Sequence, residues 1–187
     1  MGKKIIITGG LGYIGTELCK IYSGISWNNE IIVIDNRFIS ERVNQIRNWN
    51  MNFVHGDIMN KNLVDKYFKD ADIVHHLAGI TDVPRTQTES NEDHDEKIKA
   101  LAKQGTQNIL EAINNKCKII LPSTHVVYEG IEKVKTNILE NEETKPILSY
   151  ANSKVINEKQ LKKSGKNYII LRLGSVYGYS TDTARID

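Results

Sequence analysis

Apolar residues fall along this chain in short, regularly placed runs. Ile5, Ile6 and Ile7 are β-branched and follow one another without alternation. That is the pattern of a strand in a parallel sheet covered on both faces. Five more strand-like runs follow, at Ile31–Asp35, Asn52–His55, Ile73–Leu77, Lys118–Leu121 and Tyr168–Leu173. Helical patterns separate them, clearest from Ile98 to Asn114, where Ile98, Leu101, Ala102, Ile109, Leu110 and Ile113 recur at helical spacing. Strand and helix alternating through short connections predicts an α/β fold. The expected form is a Rossmann-type doubly wound parallel β-sheet with helices on both faces. In such a sheet ligand binds at the carboxyl ends of the strands.

Composition narrows the class without naming a function. The 187 residues suit one ordinary domain, and 40% apolar with 26% charged residues is the balance of a globular protein. A net charge of +2 makes no case for a nucleic-acid partner or an anionic membrane. No apolar run approaches the ~20 residues that span a bilayer, and the amino terminus lacks a signal-peptide pattern. Cys19 and Cys117 read as two buried free thiols rather than a disulfide, which suits a reducing cytoplasm.

Candidate chemistry starts where the first strand ends. Gly9, Gly12 and Gly15 lie three apart, between that strand and an amphipathic run containing Tyr13, Ile14, Leu18, Ile21 and Tyr22. In a dinucleotide-binding turn the first glycine permits the reversal and the second lets backbone approach a pyrophosphate. The third lets helix pack on strand, with phosphate at the helix N-terminus. A purely structural glycine turn is the alternative. Asp35, closing the second strand, can accept from both adenosine ribose hydroxyls, and its charge favours NAD over NADP. Arg37 pulls the other way, since an arginine here could pair with a 2′-phosphate or stand as a solvated loop cation. Asp57 could accept from the adenine amino group, or cap the helix expected over Lys61–Lys69. Leu77-Ala78-Gly79 would let backbone pass close to the cofactor. His75 and His76 point to opposite faces of their strand, so they read as packed histidines and not as metal ligands. Thr81–Asp95 reads as a polar, acidic loop and helix entry, again without a metal site.

A second constellation follows the fifth strand. Ser123-Thr124 ends it, and Tyr150 and Lys154 stand four apart, on one face of a helix. A phenol ordinarily titrates near pH 10, but a neighbouring ammonium and an oxidised nicotinamide favour the phenolate, making a base of Tyr150. The Thr124 hydroxyl could hold the substrate oxygen whose proton Tyr150 takes.

Taken together these residues resemble the extended short-chain dehydrogenase/reductase family, in its NAD-dependent nucleotide-sugar epimerase/dehydratase group. Gly9-Gly10-Leu11-Gly12-Tyr13-Ile14-Gly15 is similar to that group's glycine motif. Asp35-Asn36, Gly56-Asp57-Ile58, His76-Leu77-Ala78-Gly79, Gly105-Thr106-Gln107-Asn108, Tyr150-x-x-x-Lys154 and Leu171-Arg172-Leu173-Gly174-Ser175-Val176-Tyr177-Gly178 resemble its later landmarks. The resemblance implies Thr124, Tyr150 and Lys154 as catalytic. It implies Gly9, Gly12, Tyr13, Ile14, Gly15, Asp35, Asn36, Asp57, Ile58, Leu77, Ala78 and Gly79 as NAD-binding, with Tyr150 and Lys154 also on the cofactor. A UDP- or dTDP-linked sugar substrate is implied too, as is a homodimer through the Ile98–Asn114 helix and the Tyr150 helix, where Ile109, Ile113, Val155 and Ile156 could serve the seam or the core.

Three positions depart from the family pattern. Ala102 stands where an asparagine is common, Ser175 replaces another, and Glu129 is inserted after Tyr128. Thr124-His125-Val126 replaces the Thr-Asp-Glu of the sugar dehydratases, so dehydration lacks its acid unless His125 supplies it. The expected function is therefore a 4-epimerase, or its cofactor-binding portion, with residues 1–178 as the NAD-binding domain. Residues 179–187 read as the start of a truncated or missing substrate region, because such enzymes usually run past 300 residues. A one-way NAD(P)-dependent sugar-nucleotide reductase or dehydrogenase is one alternative. An inactive dinucleotide-binding module is the other.

Overall fold

The computed structural model of the chain describes residues 2–25, 28–81, 92–132 and 135–178. Among these, strands β1 (Lys4–Thr8), β2 (Glu30–Asp35), β3 (Asn52–His55), β4 (Ile73–His76), β5 (Lys118–Thr124) and β6 (Asn167–Leu173) form a single sheet in the order β3-β2-β1-β4-β5-β6. Every neighbouring pair is parallel. The strand order reverses between β1 and β4, the switch point at whose carboxyl ends such sheets bind ligand.

The uninterrupted isoleucines of β1 serve both faces of the sheet. Ile5 and Ile7 pack with Leu11, Cys19, Val43 and Ile46, beneath α1 (Tyr13–Ile25) and α2 (Ser40–Asn48). Ile6 points the other way into Val64, Phe68, Ile109 and Leu121, under α3 (Lys61–Phe68) and α5 (Thr106–Ala112). α6 (Ser149–Lys163) joins that second layer through Leu161. Both thiols are free and buried.

Several sequence expectations shift. The helix expected from Ile98 to Asn114 runs without a gap as α4 (Glu92–Ala100), a π-helical turn over Leu101–Gly105, and α5. The wider turn leaves the Ala102 carbonyl to accept from Asn157 Nδ2 on α6 at 2.8 Å. Ile109 and Ile113 lie in the core, 0% and 2% exposed, so they cannot form a dimer seam. The cap of α3 is Asn60, whose Oδ1 accepts from Leu63 N at 3.2 Å, and not Asp57. β5 runs on to Thr124, and a 3-10 turn, His125–Tyr128, follows it. Most of the acidic stretch Thr81–Asp95, residues 82–91, lies outside the described residues, as do residues 179–187.

Candidate dinucleotide site and tyrosine–lysine pair

The glycine turn lies at the β1/β4 switch point. Gly9 has φ +67°, a left-handed conformation that favours glycine, and a Cβ there would stand 2.8 Å from Ala78 N. A Cβ on Gly15 would come within 2.4 Å of the Gly9 carbonyl, so α1 approaches the turn as closely as backbone allows. The result is a bare backbone cradle at a helix N-terminus, the geometry a pyrophosphate needs. Leu77-Ala78-Gly79 forms its second wall, with Ala78 N donating to Thr8 Oγ1 at 3.0 Å.

Asp35 sits where β2 ends and is buried. Its Oδ2 accepts from Leu11 N at 2.9 Å, and Oδ1 from Arg37 N at 2.9 Å. The carboxylate thus clamps the glycine turn to β2 and keeps lone pairs for a ribose. Asn36 Nδ2 donates to Asp57 Oδ2 at 3.1 Å, and Asp57 Oδ1 accepts from Met59 N at 2.9 Å. These bonds bring Asn36 and Asp57 into one wall at the ends of β2 and β3, whereas the Ile58 side chain beside them is buried in the core. Tyr13 turns its hydroxyl to the Gly178 carbonyl at 2.7 Å, and Ile14 follows it in the first turn of α1.

The other expected residues gather on α6 and β5. Lys154 is buried, with Nζ 5.7 Å from the Tyr150 ring centroid and 3.9 Å from the point a Gly79 Cβ would occupy. Burial pushes its ammonium down to about 8. Thr124 closes β5, and its Oγ1 accepts from Val126 N at 3.2 Å. His125 is tied through Nδ1 to the Leu173 carbonyl at 3.1 Å, which leaves Nε2 as the ring nitrogen away from that contact. Glu129 accepts from the backbone N–H groups of Ile147 and Leu148, and so anchors the entry to α6.

Two polar networks that the sequence reading did not anticipate hold this arrangement. In the first, His76 bridges Thr8 Oγ1 at 3.2 Å and Thr106 Oγ1 at 2.8 Å, and Asn157 Nδ2 donates to Thr106 Oγ1 at 2.7 Å. Burial, and after it the charge of Lys154, pushes the His76 imidazole down to about 3, so it stays neutral. In the second, Glu158 accepts Ser123 Oγ at 2.6 Å and a two-pronged contact from Arg172, Nε at 2.9 Å and Nη2 at 2.6 Å. The α6 stride of four, Tyr150, Lys154, Glu158, was the readable sign of this face. His75 instead meets Tyr22 Oη at 2.8 Å across the sheet. Among the described residues no cluster of His, Cys, Asp and Glu is arranged for a metal, and no helix is long and apolar enough to cross a membrane.

Comparison with known proteins agrees with this geometry. The profile of the "NAD dependent epimerase/dehydratase family" matches residues 5–186. A CDP-paratose 2-epimerase of Salmonella typhi is 37% identical over 153 residues, covering 75% of this chain and 42% of its own length. A dTDP-D-glucose 4,6-dehydratase of Dictyostelium discoideum is 29% identical, covering 94% of this chain and 44% of its own. Among solved structures, a UDP-glucose 4-epimerase from Brucella ovis in complex with NAD superposes with TM-score 0.72 at 27% identity, over 91% of this chain and 51% of that one. The chain thus spans about half the length of the relatives it matches.

Proposed function

The chain belongs to the NAD dependent epimerase/dehydratase family, and from that premise we propose that it is the NAD-binding portion of a nucleotide-sugar 4-epimerase. The observation that carries the reading is the place of Lys154. Its buried Nζ faces the Tyr150 ring on one side and Gly79, on the wall of the glycine cradle, on the other. One cation therefore joins the dinucleotide turn to a phenol, as a proton-coupled hydride transfer requires. NAD held in the cradle supplies a hydride acceptor that can return the hydride to the opposite face of a sugar.

The residues of this chain do the remaining work. Gly9, Gly12 and Gly15, with Tyr13 and Ile14 leading α1, receive the pyrophosphate. Asp35 and Asn36 take the adenosine ribose, Asp57 and Ile58 the adenine, and Leu77, Ala78 and Gly79 line the way to the nicotinamide. Tyr150 takes the proton of the sugar's C4 hydroxyl, Thr124 holds that oxygen, and Lys154 stabilises the charge left on the phenol oxygen while reaching the nicotinamide ribose. The substrate class is a UDP- or dTDP-linked sugar. Residues 1–178 form the cofactor unit, with 179–187 opening the substrate region. A homodimer in the cytoplasm extends the reading; the two buried, unpaired thiols suit a reducing compartment.

Calorimetric titration with NAD and a panel of UDP- and dTDP-sugars, with NADH absorbance and product sugars followed in the same mixtures, on the wild-type chain and Tyr150→Phe, tests the proposal. Both proteins should bind NAD, and only the wild type should exchange hydride between a bound sugar nucleotide and NAD. Hydride exchange retained in Tyr150→Phe sinks the base assignment, and no NAD binding sinks the whole reading. The sugar that is turned over, and the carbon at which it inverts, set 4-epimerase against the 2-epimerase and 4,6-dehydratase activities named among the relatives.

A further inference from the structure

The adenosine end of the cradle holds a cation that the proposed function leaves unused. Arg37 follows Asp35 by two residues at the carboxyl end of β2. Its backbone N–H and its Nε both donate to Asp35 Oδ1, at 2.9 Å and 3.4 Å. That double contact draws the side chain back over the turn. Nη2 lies 3.6 Å from the point a Cβ on Gly12 would occupy. Gly12 is the glycine at which backbone must lie bare against a diphosphate. The Arg37 side chain is 46% exposed, and its Nη1 and Nη2 make no hydrogen bond to any described residue. A second guanidinium, from buried Arg42, donates to the Leu11 carbonyl beneath the same turn.

We propose that Arg37 forms a 2′-phosphate site beside Asp35, so that the cradle takes NADP as well as NAD. This rests on the dinucleotide reading above. A lone carboxylate at a strand end rejects a 2′-phosphate by repulsion and by accepting from the free hydroxyl. Here Nε offsets the charge of that carboxylate, and two N–H-bearing nitrogens of one planar fork remain for an anion. A fork of this shape matches phosphate oxygens two at a time, which a solvated lysine could not do. The lone pairs of Asp35 still serve the 3′-hydroxyl, and with NAD both ribose hydroxyls.

Binding alone tests this, without any need for turnover. The wild-type chain and Arg37→Leu are titrated by calorimetry with NAD, NADP, ADP and adenosine 2′,5′-bisphosphate. Wild type should bind NADP within about tenfold of NAD. Arg37→Leu should weaken NADP and the 2′,5′-bisphosphate by about tenfold or more, as loss of a charge-assisted contact does. NAD and ADP should change less than about threefold, which also shows that the variant is folded. Equal losses for NAD and NADP would put Arg37 on the diphosphate and overturn the 2′-phosphate site, and no loss for either would overturn it too. NAD bound with NADP rejected by the wild type sinks this proposal alone. Failure of every ligand to bind sinks the dinucleotide reading and this proposal with it.

Discussion

β1 and β6 are made of similar residues and live in opposite surroundings. Ile5, Ile6 and Ile7 of β1 are at most 2% exposed, whereas Tyr168, Ile169 and Leu171 of β6 are 38–42% exposed. β1 has a strand on each side and helices on both faces. Among the described residues β6 pairs only with β5, along seven residue pairs from Lys118↔Asn167 to Thr124↔Leu173. Ile170 and Arg172 turn toward α6, where Ile170 packs against the core and Arg172 meets Glu158, while Ile169 and Leu171 alternate onto the bare face. An unbroken apolar run therefore states what a strand is suited to, and burial follows only where a second layer is present. The β1 side is held by apolar packing, and the β6 side by its ladder and a buried ion pair.

The largest test of that contrast removes the same atoms from each strand. Ile6→Ala should cost about 2–5 kcal/mol, because it empties a fully packed site between two layers. Ile169→Ala should cost less than about 1 kcal/mol, since its side chain already meets water. Urea unfolding of both variants decides it. Equal costs would mean that β6 is covered in solution and the contrast is false.

The next test attacks the ion pair. Burial acts to raise the Glu158 carboxyl, but the hydrogen bonds from Arg172 and Ser123 outweigh it and hold the group below its usual value. Arg172→Leu leaves that carboxylate buried with its main partner gone and should cost about 3 kcal/mol. Arg172→Leu combined with Glu158→Leu should recover most of the loss, because both charges are then absent. The depressed carboxyl also sets a pH sign: the pair's contribution is complete above the ordinary glutamate value of 4.5 and fades as acid protonates Glu158 in the folded chain. A double variant no more stable than Arg172→Leu would show that β6 is held by something else.

The same division explains what could be read from the sequence. The β1 side was legible because its signals are local: three isoleucines, three glycines and Asp35 stand in an order that one turn geometry uses. Asp57 stood as an alternative cap for α3 beside its adenine role because any Asp or Asn just before a helix is a candidate, and only the backbone path selects Asn60. The π-helical turn inside the Ile98–Asn114 helix has no local signal, since Ala102 favours helix. Its freed Ala102 carbonyl is met by Asn157, fifty-five positions on. The partners of His76, Thr106, Asn157 and Glu158 were hidden for the same reason, each being a polar residue whose partner lies far along the chain. Tyr150 and Lys154 were readable as a pair, while the burial of Lys154 depends on Gly79 and the walls around it.

Lys154 stands on α6, at the seam between the two regions, and it sets stability against function. Burial lowers its ammonium from 10.5 to about 8. The unfolded chain therefore holds this proton up to about pH 10.5, and the folded chain only to about pH 8. Between those values the unfolded state binds more protons, so stability attributable to this group rises with pH; below pH 8 its full cost is present. Lys154→Met keeps the length and apolar stem and removes the charge. The variant should be more stable than wild type at pH 7 by about 2 kcal/mol. The gain should shrink through pH 8–10 and vanish above about pH 10.5, while NAD binds more weakly at every pH. Urea unfolding of both proteins at pH 7 and pH 10, with NAD titration at pH 7, reads all three. A loss of stability at pH 7 would show that the ammonium is already stabilised by a partner in the cofactor-free fold, which would remove the reason for regarding Lys154 as a cation held ready for NAD and Tyr150.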